Sequence, residues 1–288
     1  MKVTYIDHMG TDLSVVNAAK VSFGKRSEWE GGSHPDFDKP KHLSKKDQGL
    51  IQFLARGCTS GDWDELVGQA EVHGYNIFKL NVSGNDAALE TEESMLVDLL
   101  NHIRKMPSHW SPFAHTAITL HLKMPIFVAR QIMKHTTGIE YNEVSRRYVD
   151  SEPEFYVPDV WRKKADNVKQ GSSDEAVDLR AFGISGDGPP HESGWEADLE
   201  EVLGYFWRDT LELYKSMSRA GVAPEQARMI LPQSMYTEVI ATGNLYAWAN
   251  MYIQRTDSHA QKETQDLAKQ IGEIIQPLYP VSWAALVD

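Results

Sequence analysis

Cysteine is almost absent from this 288-residue chain; Cys58 is the only one. A lone thiol closes no intramolecular disulfide and builds no multi-cysteine metal site, and it points to a reducing compartment. Long hydrophobic runs are missing too, so no segment reads as a membrane span. The opening MKVTYIDHMGTDL contains acidic residues and no apolar stretch, unlike a secretory leader. A cytoplasmic, membrane-free protein without a bound metal is expected. Basic residues are in the minority: 29 Lys and Arg face 41 Asp and Glu, for a net charge of −12. That balance argues against a broad nucleic-acid-binding face. There is no GxGxxG or P-loop spacing and no internal repeat. Any nucleotide must therefore be held by side chains and helix ends.

What is present is ordinary globular composition, 41% hydrophobic and 24% charged, in a chain long enough for one large or two small domains. Lys2 to Ile6 reads as a strand. A helix then begins near Asp12, with Asp12 or Ser14 as cap and Leu13, Val16 and Ala19 as its stripe. Lys25 to Pro40 reads as a loop, Asp47 to Arg56 as a helix, and Val72 to Val82 as a short hairpin. Glu93 to Lys105 has helical spacing. In Ala117 to Met124, Ile118, Leu120, Leu122 and Met124 alternate with Thr119, His121 and Lys123, which predicts a half-buried strand. Residues 163–194, rich in Asp, Gly, Ser and Pro, read as a mobile excursion, and Trp195 to Arg219 as a long helix ended by Gly221. Ala260, Thr264, Leu267, Ile271, Ile274 and Leu278 make a core-facing stripe, with Asp257 or Ser258 as the cap that would place His259 in a first helical turn.

One segment does not read as core. Arg130 to Tyr148, RQIMKHTTGIEYNEVSRRY, sets Arg130, Lys134, Arg146 and Arg147 against only Glu140 and Glu143. A cationic cluster in an acidic chain suits a small anion such as a phosphate, held by guanidinium forks. Solvated charges on a surface loop would look the same. Pro125 fits the start of a helix running to about Lys134. Gly138 breaks the pattern, and Asn142, Glu143, Ser145 and Arg147 follow at spacings that a loop or strand aims into one cavity.

Far along the chain lie Arg228 in PEQARMILP and Asn244, Asn250, Arg255 and His259 in NLYAWANMYIQRTDSHAQ. Together with RQIMKHTTGIEYNEVSRRY, these residues closely resemble the flavin-dependent thymidylate synthases. The resemblance covers Leu13 to Gly24, His109 to Tyr148 and Arg219 to Gln261, in the family's order. It implies an α+β fold, a central mostly antiparallel sheet flanked by helices, in one domain over residues 1–288. Insertions are expected at about 58–90 and 163–194, and the assembly is expected to be a homotetramer whose sites are shared between subunits.

The implied activity is reductive methylation of dUMP to dTMP. Methylenetetrahydrofolate gives the carbon and FAD, reduced by NADPH, gives the hydride, with no cysteine nucleophile. Cys58 matches no catalytic position of the family. By resemblance, Arg255 is catalytic, contacting the uracil and stabilising the negative charge that develops there. Gln131, Ser145, Arg146, Arg147, Glu225 and Arg228 would hold dUMP. Ser22, His109, Ser111, Lys134, His135, Thr136, Asn142, Glu143, Asn244, Asn250 and His259 would line the FAD. Without the resemblance, Ser22 reads as a helix-terminal serine, and Glu225 with Arg228 as a surface ion pair. The family's Arg-His-Arg, seven residues, then Ser is replaced here by Lys134-His135-Thr136, eight residues, then Ser145, with Gly138 to absorb the extra residue. That departure keeps two alternatives open: a pyrimidine nucleotide hydroxymethylase on the same scaffold, and a flavin-free nucleotide-binding protein.

Overall fold

The computed structural model describes residues 1–31, 40–56, 68, 72, 109–149, 151–165, 172–181, 183–186 and 195–287. The hairpin expected from Val72 to Val82 and the helix expected from Glu93 to Lys105 lie outside these residues, Val72 apart, as does Cys58. The chain forms two compact units. The first gathers Met1–Ile6, Thr119–Thr242 and Met251–Ile271; the second gathers Asp7–Ile118, Gly243–Asn250 and Gly272–Asp288.

The first unit is built on a four-stranded sheet of order β1 (Lys2–Met9), β2 (Ala117–Pro125), β8 (Tyr236–Gly243) and β3 (Ile139–Glu143). The alternation in β2 sorts its faces as expected: Leu120, Leu122 and Met124 are fully buried. On the other face Thr119 meets Thr242 at 3.0 Å, His121 meets Glu238 at 2.8 Å, and Lys123 stands 5.6 Å from the centre of the Tyr236 ring. Residue numbers rise along β2 as their partners fall along β8, so this pair is antiparallel.

Residues 163–194 hold more regular structure than their composition suggests. β4 (Arg162–Lys164) pairs antiparallel with β5 (Ser172–Ala176), and β6 (Gly183–Gly186) with β7 (Trp195–Asp198). Main-chain pairing needs no apolar side chains, which is why polar composition concealed these hairpins. Because β7 takes residues 195–198, the long helix α5 (Leu199–Arg219) starts later than expected, with the Asp198 carboxylate accepting the Glu201 N–H at 2.7 Å as its N-cap. It ends where expected. Gly221 adopts φ +82°, and the N–H groups of Val222 and Gly221 return to the carbonyls of Met217 and Ser218 at 3.0 and 3.1 Å, a Schellman closure. Within α5 only Tyr214 is buried, and Phe206 and Leu213 are about half exposed.

The second unit contains α1 (Asp12–Lys20), α2 (Lys45–Arg56), the short α3 (Ser111–Ala114) and α9 (Pro280–Val287), with Val15, Val16, Ile51, Phe113, Trp248 and Trp283 among its buried side chains. Thr11, not Asp12 or Ser14, is the N-cap of α1, while Ser14 Oγ accepts the Thr11 N–H at 3.0 Å. Asp12 points elsewhere. It is 2% exposed and accepts the N–H groups of Val281 and Ser282 at 2.9 and 2.8 Å, capping the start of α9 across the fold. The stripe expected on α8 (Lys262–Ile275) holds through Thr264, Leu267 and Ile271, after which Ile275 and Tyr279 are buried in place of Ile274 and Leu278. A straight helix of 3.6 residues per turn drifts off a strict seven-residue repeat, which accounts for Ile275 at the end of α8, while Tyr279 lies in the turn beyond it.

Replacing Asp12 by Ala leaves two N–H groups of α9 without an acceptor in a buried place, so unfolding free energy should fall by about 2–3 kcal/mol. Asp209→Ala, which removes an exposed partner of Arg208, should change it by less than about 0.5 kcal/mol. Urea unfolding of the two variants checks this, and equal midpoints would remove the capping role.

Candidate active site

The cationic segment begins where β2 runs into α4 (Ile126–Ile132). Pro125 is the last strand residue and the N-cap of that helix, with φ −70° and ψ 153°. The first free amides of α4 are taken internally: Ile126 N–H reaches the Met235 carbonyl at 3.0 Å and Phe127 N–H the Gln233 carbonyl at 3.2 Å. The other end of the helix organises the site. A helix leaves its last carbonyls without partners, and here they are met by side chains. Arg255, in the last turn of α7 (Leu245–Thr256), donates to the Gln131 carbonyl at 3.1 Å, and the Tyr141 hydroxyl lies 3.1 and 3.0 Å from the carbonyls of Ile132 and His135. A cation at this end is also favoured by the helix dipole.

Arg255 uses a second donor on His135. Its Nε–H points to His135 Nε2 at 2.8 Å. An imidazole can accept there only when neutral, with its proton on Nδ1. Burial, and then the positive charge of Arg255, hold His135 below its ordinary value of 6.5. Burial likewise pushes the Tyr141 phenol well above its ordinary range, against the opposing effect of Arg255. Gln131 extends the cluster, its side-chain N–H2 donating to Gln261 Oε1 at 2.8 Å. Neither Tyr141 nor Gln261 stood out in the sequence. Tyr141 sits in the alternating β3 and Gln261 just ahead of α8, where any polar residue would pass unnoticed.

All seven residues expected to hold dUMP, Gln131, Ser145, Arg146, Arg147, Glu225, Arg228 and Arg255, lie in the first unit. Gln131 and Arg255 are joined as above, and Ser145 Oγ accepts from Arg147 Nε at 3.3 Å. Arg146 donates to the Ser151 carbonyl, and Arg147 lies 5.2 Å from the centre of the Tyr148 ring. Pro224 opens α6 (Pro224–Ala227), and Glu225 and Arg228 are both exposed beside it. Among the described residues no ion pair joins these two.

The residues expected to line FAD are divided. Lys134, His135, Thr136, Asn142, Glu143 and His259 lie in the first unit, and Ser22, His109, Ser111, Asn244 and Asn250 in the second. Lys134, Thr136 and Asn142 are exposed, while Glu143 accepts the Thr237 hydroxyl at 2.7 Å. Asn244 is the cap of α7, its Oδ1 accepting the Ala247 N–H at 2.9 Å. The His109 ring stacks on Phe53 with centroids 5.2 Å apart. Ser22 and Ser111 are exposed. His259 corrects an expectation: α8 starts at Lys262, so His259 stands in the preceding turn rather than in a first helical turn. Asp257 closes that turn instead of capping the helix, accepting from the His259 N–H at 2.8 Å. Lys134 and His259 are exposed, and with the hydroxyl of Thr136 they offer N–H and O–H donors of the kind that suit a pyrophosphate.

The chain has counterparts among known proteins. The sequence model of the thymidylate synthase complementing proteins matches residues 4–281. A flavin-dependent thymidylate synthase of Treponema denticola is 35% identical over 98% of this chain and 77% of its own length, and one of Thermosipho africanus is 33% identical over 69% and 78%. The chain belongs to the flavin-dependent thymidylate synthase family. The fold of a UMP/dUMP methylase, PolB of Streptomyces cacaoi, solved with 5-Br dUMP, is similar, with a TM-score of 0.57 and 24% identity over 99% of this chain and 93% of that one. Among the described residues no helix is long and apolar enough to cross a membrane.

Because its folded value lies below 6.5, His135 binds fewer protons folded than unfolded as the pH falls through that window. The linked stability is therefore present above pH 6.5 and lost on acidification. NMR titration should place His135 below 6.5, and His135→Gln, which still offers an acceptor but does not titrate, should remove this part of the acid dependence of unfolding. A titration at or above 6.5 contradicts the neutral acceptor.

Proposed function

We propose that this chain converts dUMP to dTMP by reductive methylation, with methylenetetrahydrofolate as the carbon donor. The observation that carries the reading is Arg255, fixed between the Gln131 carbonyl and neutral His135 in a chain of this family. When bound, FAD supplies the hydride that completes the methyl group, and NADPH restores it. The chain's own residues bind and polarise. Two of the five N–H donors of Arg255 are engaged internally, which leaves the rest of the fork for the uracil edge. A guanidinium held there favours negative charge on the ring, making C5 a better nucleophile without a cysteine addition. Ser145, Arg146, Arg147, Glu225 and Arg228 hold the nucleotide with Gln131, the arginines taking its phosphate. Lys134, Thr136 and His259 face the flavin pyrophosphate, with His135, Asn142, Glu143, Ser22, His109, Ser111, Asn244 and Asn250 completing that set.

The two units form one domain, and the working state is a homotetramer. The supporting observation is the company these residues keep. Ser22 lies between Val21 and Phe23, 72% and 74% exposed, Arg147 precedes Tyr148 at 79%, and Arg228 precedes Met229 at 78%. Large apolar side chains beside polar binding residues suit surfaces that a second subunit covers.

Anaerobic incubation of purified protein, with and without added FAD, with dUMP, methylenetetrahydrofolate and NADPH should yield dTMP by mass analysis. A hydroxymethylated product, or unchanged dUMP with no bound flavin, would overturn the reading. Arg255→Ala should lower turnover by about 10²–10³-fold with the circular dichroism spectrum unchanged. Near-normal turnover in that variant removes Arg255 from the chemistry.

A further inference from the structure

Beside the candidate site, within the first unit, lies a cleft of about 310 Å³ that none of the proposed chemistry uses. Its walls include four aromatic side chains, Phe127, Tyr156, Trp161 and Trp207. Its polar lining is unusual. Arg162 Nη2 and Glu263 Oε1 form an ion pair at 2.7 Å, with the two side chains 20% and 7% exposed. The second carboxylate oxygen, Glu263 Oε2, is buried and has no hydrogen-bond donor among the described residues. A buried carboxylate oxygen left without a donor is costly and is normally satisfied. Gln261 is the other polar side chain that bears on the argument. Its Oε1 is taken by Gln131, so its amide N–H2 is the group it can offer the cleft.

We infer that this cleft is a second small-molecule site, for a flat nitrogen heterocycle that stacks between the aromatic walls, donates an N–H to Glu263 and accepts from Gln261. The volume is at the lower end of ligand pockets, near ~300 Å³, and hydrophobic and aromatic walls with a few convergent polar groups are what such pockets present. Ring stacking supplies affinity without sequence or phosphate recognition. The unpaired acceptor sets the selectivity, because a site built to receive an N–H rejects a ring that lacks one. Two sources share this chemistry, a nucleobase and a pterin. The site is linked to the first one through Gln261, which bonds the side chain of Gln131, and Gln131 in turn receives Arg255 on its carbonyl. The inference rests on the dUMP binding proposed above, which its test uses, and not on the methylation.

Isothermal titration of the full-length protein, in the presence of saturating dUMP, tests it with three probes: guanosine, 6-carboxypterin and caffeine, a flat ring system without an N–H donor. Guanosine or 6-carboxypterin should bind with Kd below about 1 mM, and caffeine at least about tenfold more weakly. Whichever of the two binds identifies the source. Glu263→Gln puts an N–H2 where the carboxylate accepted, so it should reverse the preference and favour caffeine, an outcome that simple loss of structure would not give. Trp207→Leu, which leaves the ion pair in place, should weaken binding of the preferred ring at least about tenfold while dUMP affinity stays the same. Absence of binding by all three probes, equal affinity for caffeine, or unchanged affinity in both variants would overturn the second site. So would displacement of the bound ring by dUMP.

Discussion

The guanidinium of Arg255 at the end of α4 is the interaction on which the site depends. One side chain satisfies a helix carbonyl, that of Gln131, and at the same time fixes the tautomer of His135. Each part constrains the others. Helix α4 is placed by its continuity with β2, whose fully buried Leu120, Leu122 and Met124 set the position of the strand. The orientation of the guanidinium is thus inherited from the sheet, through a helix whose last carbonyl, that of Ile132, is met by Tyr141. A positioned cation of this kind needs no reorganisation when charge develops beside it, which is the most effective form of electrostatic assistance.

The same arrangement explains how much could be read from the residues alone. The β2 strand was fully legible because a two-residue period with one buried face leaves no other solution. Gly221 and Pro224 were legible because each marks a backbone geometry that few other residues adopt. Other features were hidden by ambiguity of a definite kind. Thr11, Asp12 and Ser14 are all competent caps, and only the fold shows that Asp12 serves a different helix 269 residues away. The hairpins between Arg162 and Asp198 are held by main-chain pairing, which composition does not report. Resemblance singled out Arg255 and His135 separately, but not their contact, because a bond spanning 120 residues leaves no local pattern.

Both the cluster and the neighbouring cleft use a polar group whose bonding is only partly completed within the chain. Arg255 has donors left over after His135 and Gln131 are served, and Glu263 has an acceptor left over after Arg162 is served. In a protein interior such remainders are expensive. Asp12 and Trp248 show the usual solution, Asp12 receiving two N–H groups in its buried position and Trp248 donating its indole N–H to the Ile118 carbonyl at 3.2 Å, whereas among the described residues Thr264 Oγ1 and Ser282 Oγ are, like Glu263 Oε2, buried without a partner. What sets Glu263 apart from those two hydroxyls is that it is a carboxylate and lines a cleft.

The departure from the family's Arg-His-Arg pattern fits this division. Lys134 and Thr136 are exposed, whereas His135 between them is half-buried and engaged with Arg255. The two positions that differ face outward, and the one shared with the pattern is the acceptor that holds Arg255. Gly138, at φ +78°, turns the chain just after them and directly ahead of β3. Exchanging outward guanidinium groups for an ammonium and a hydroxyl alters how an anion is gripped, from a bidentate fork to a point charge. It leaves the Arg255 arrangement intact, because that arrangement draws on the imidazole and on helix carbonyls, neither of which the exchange touches.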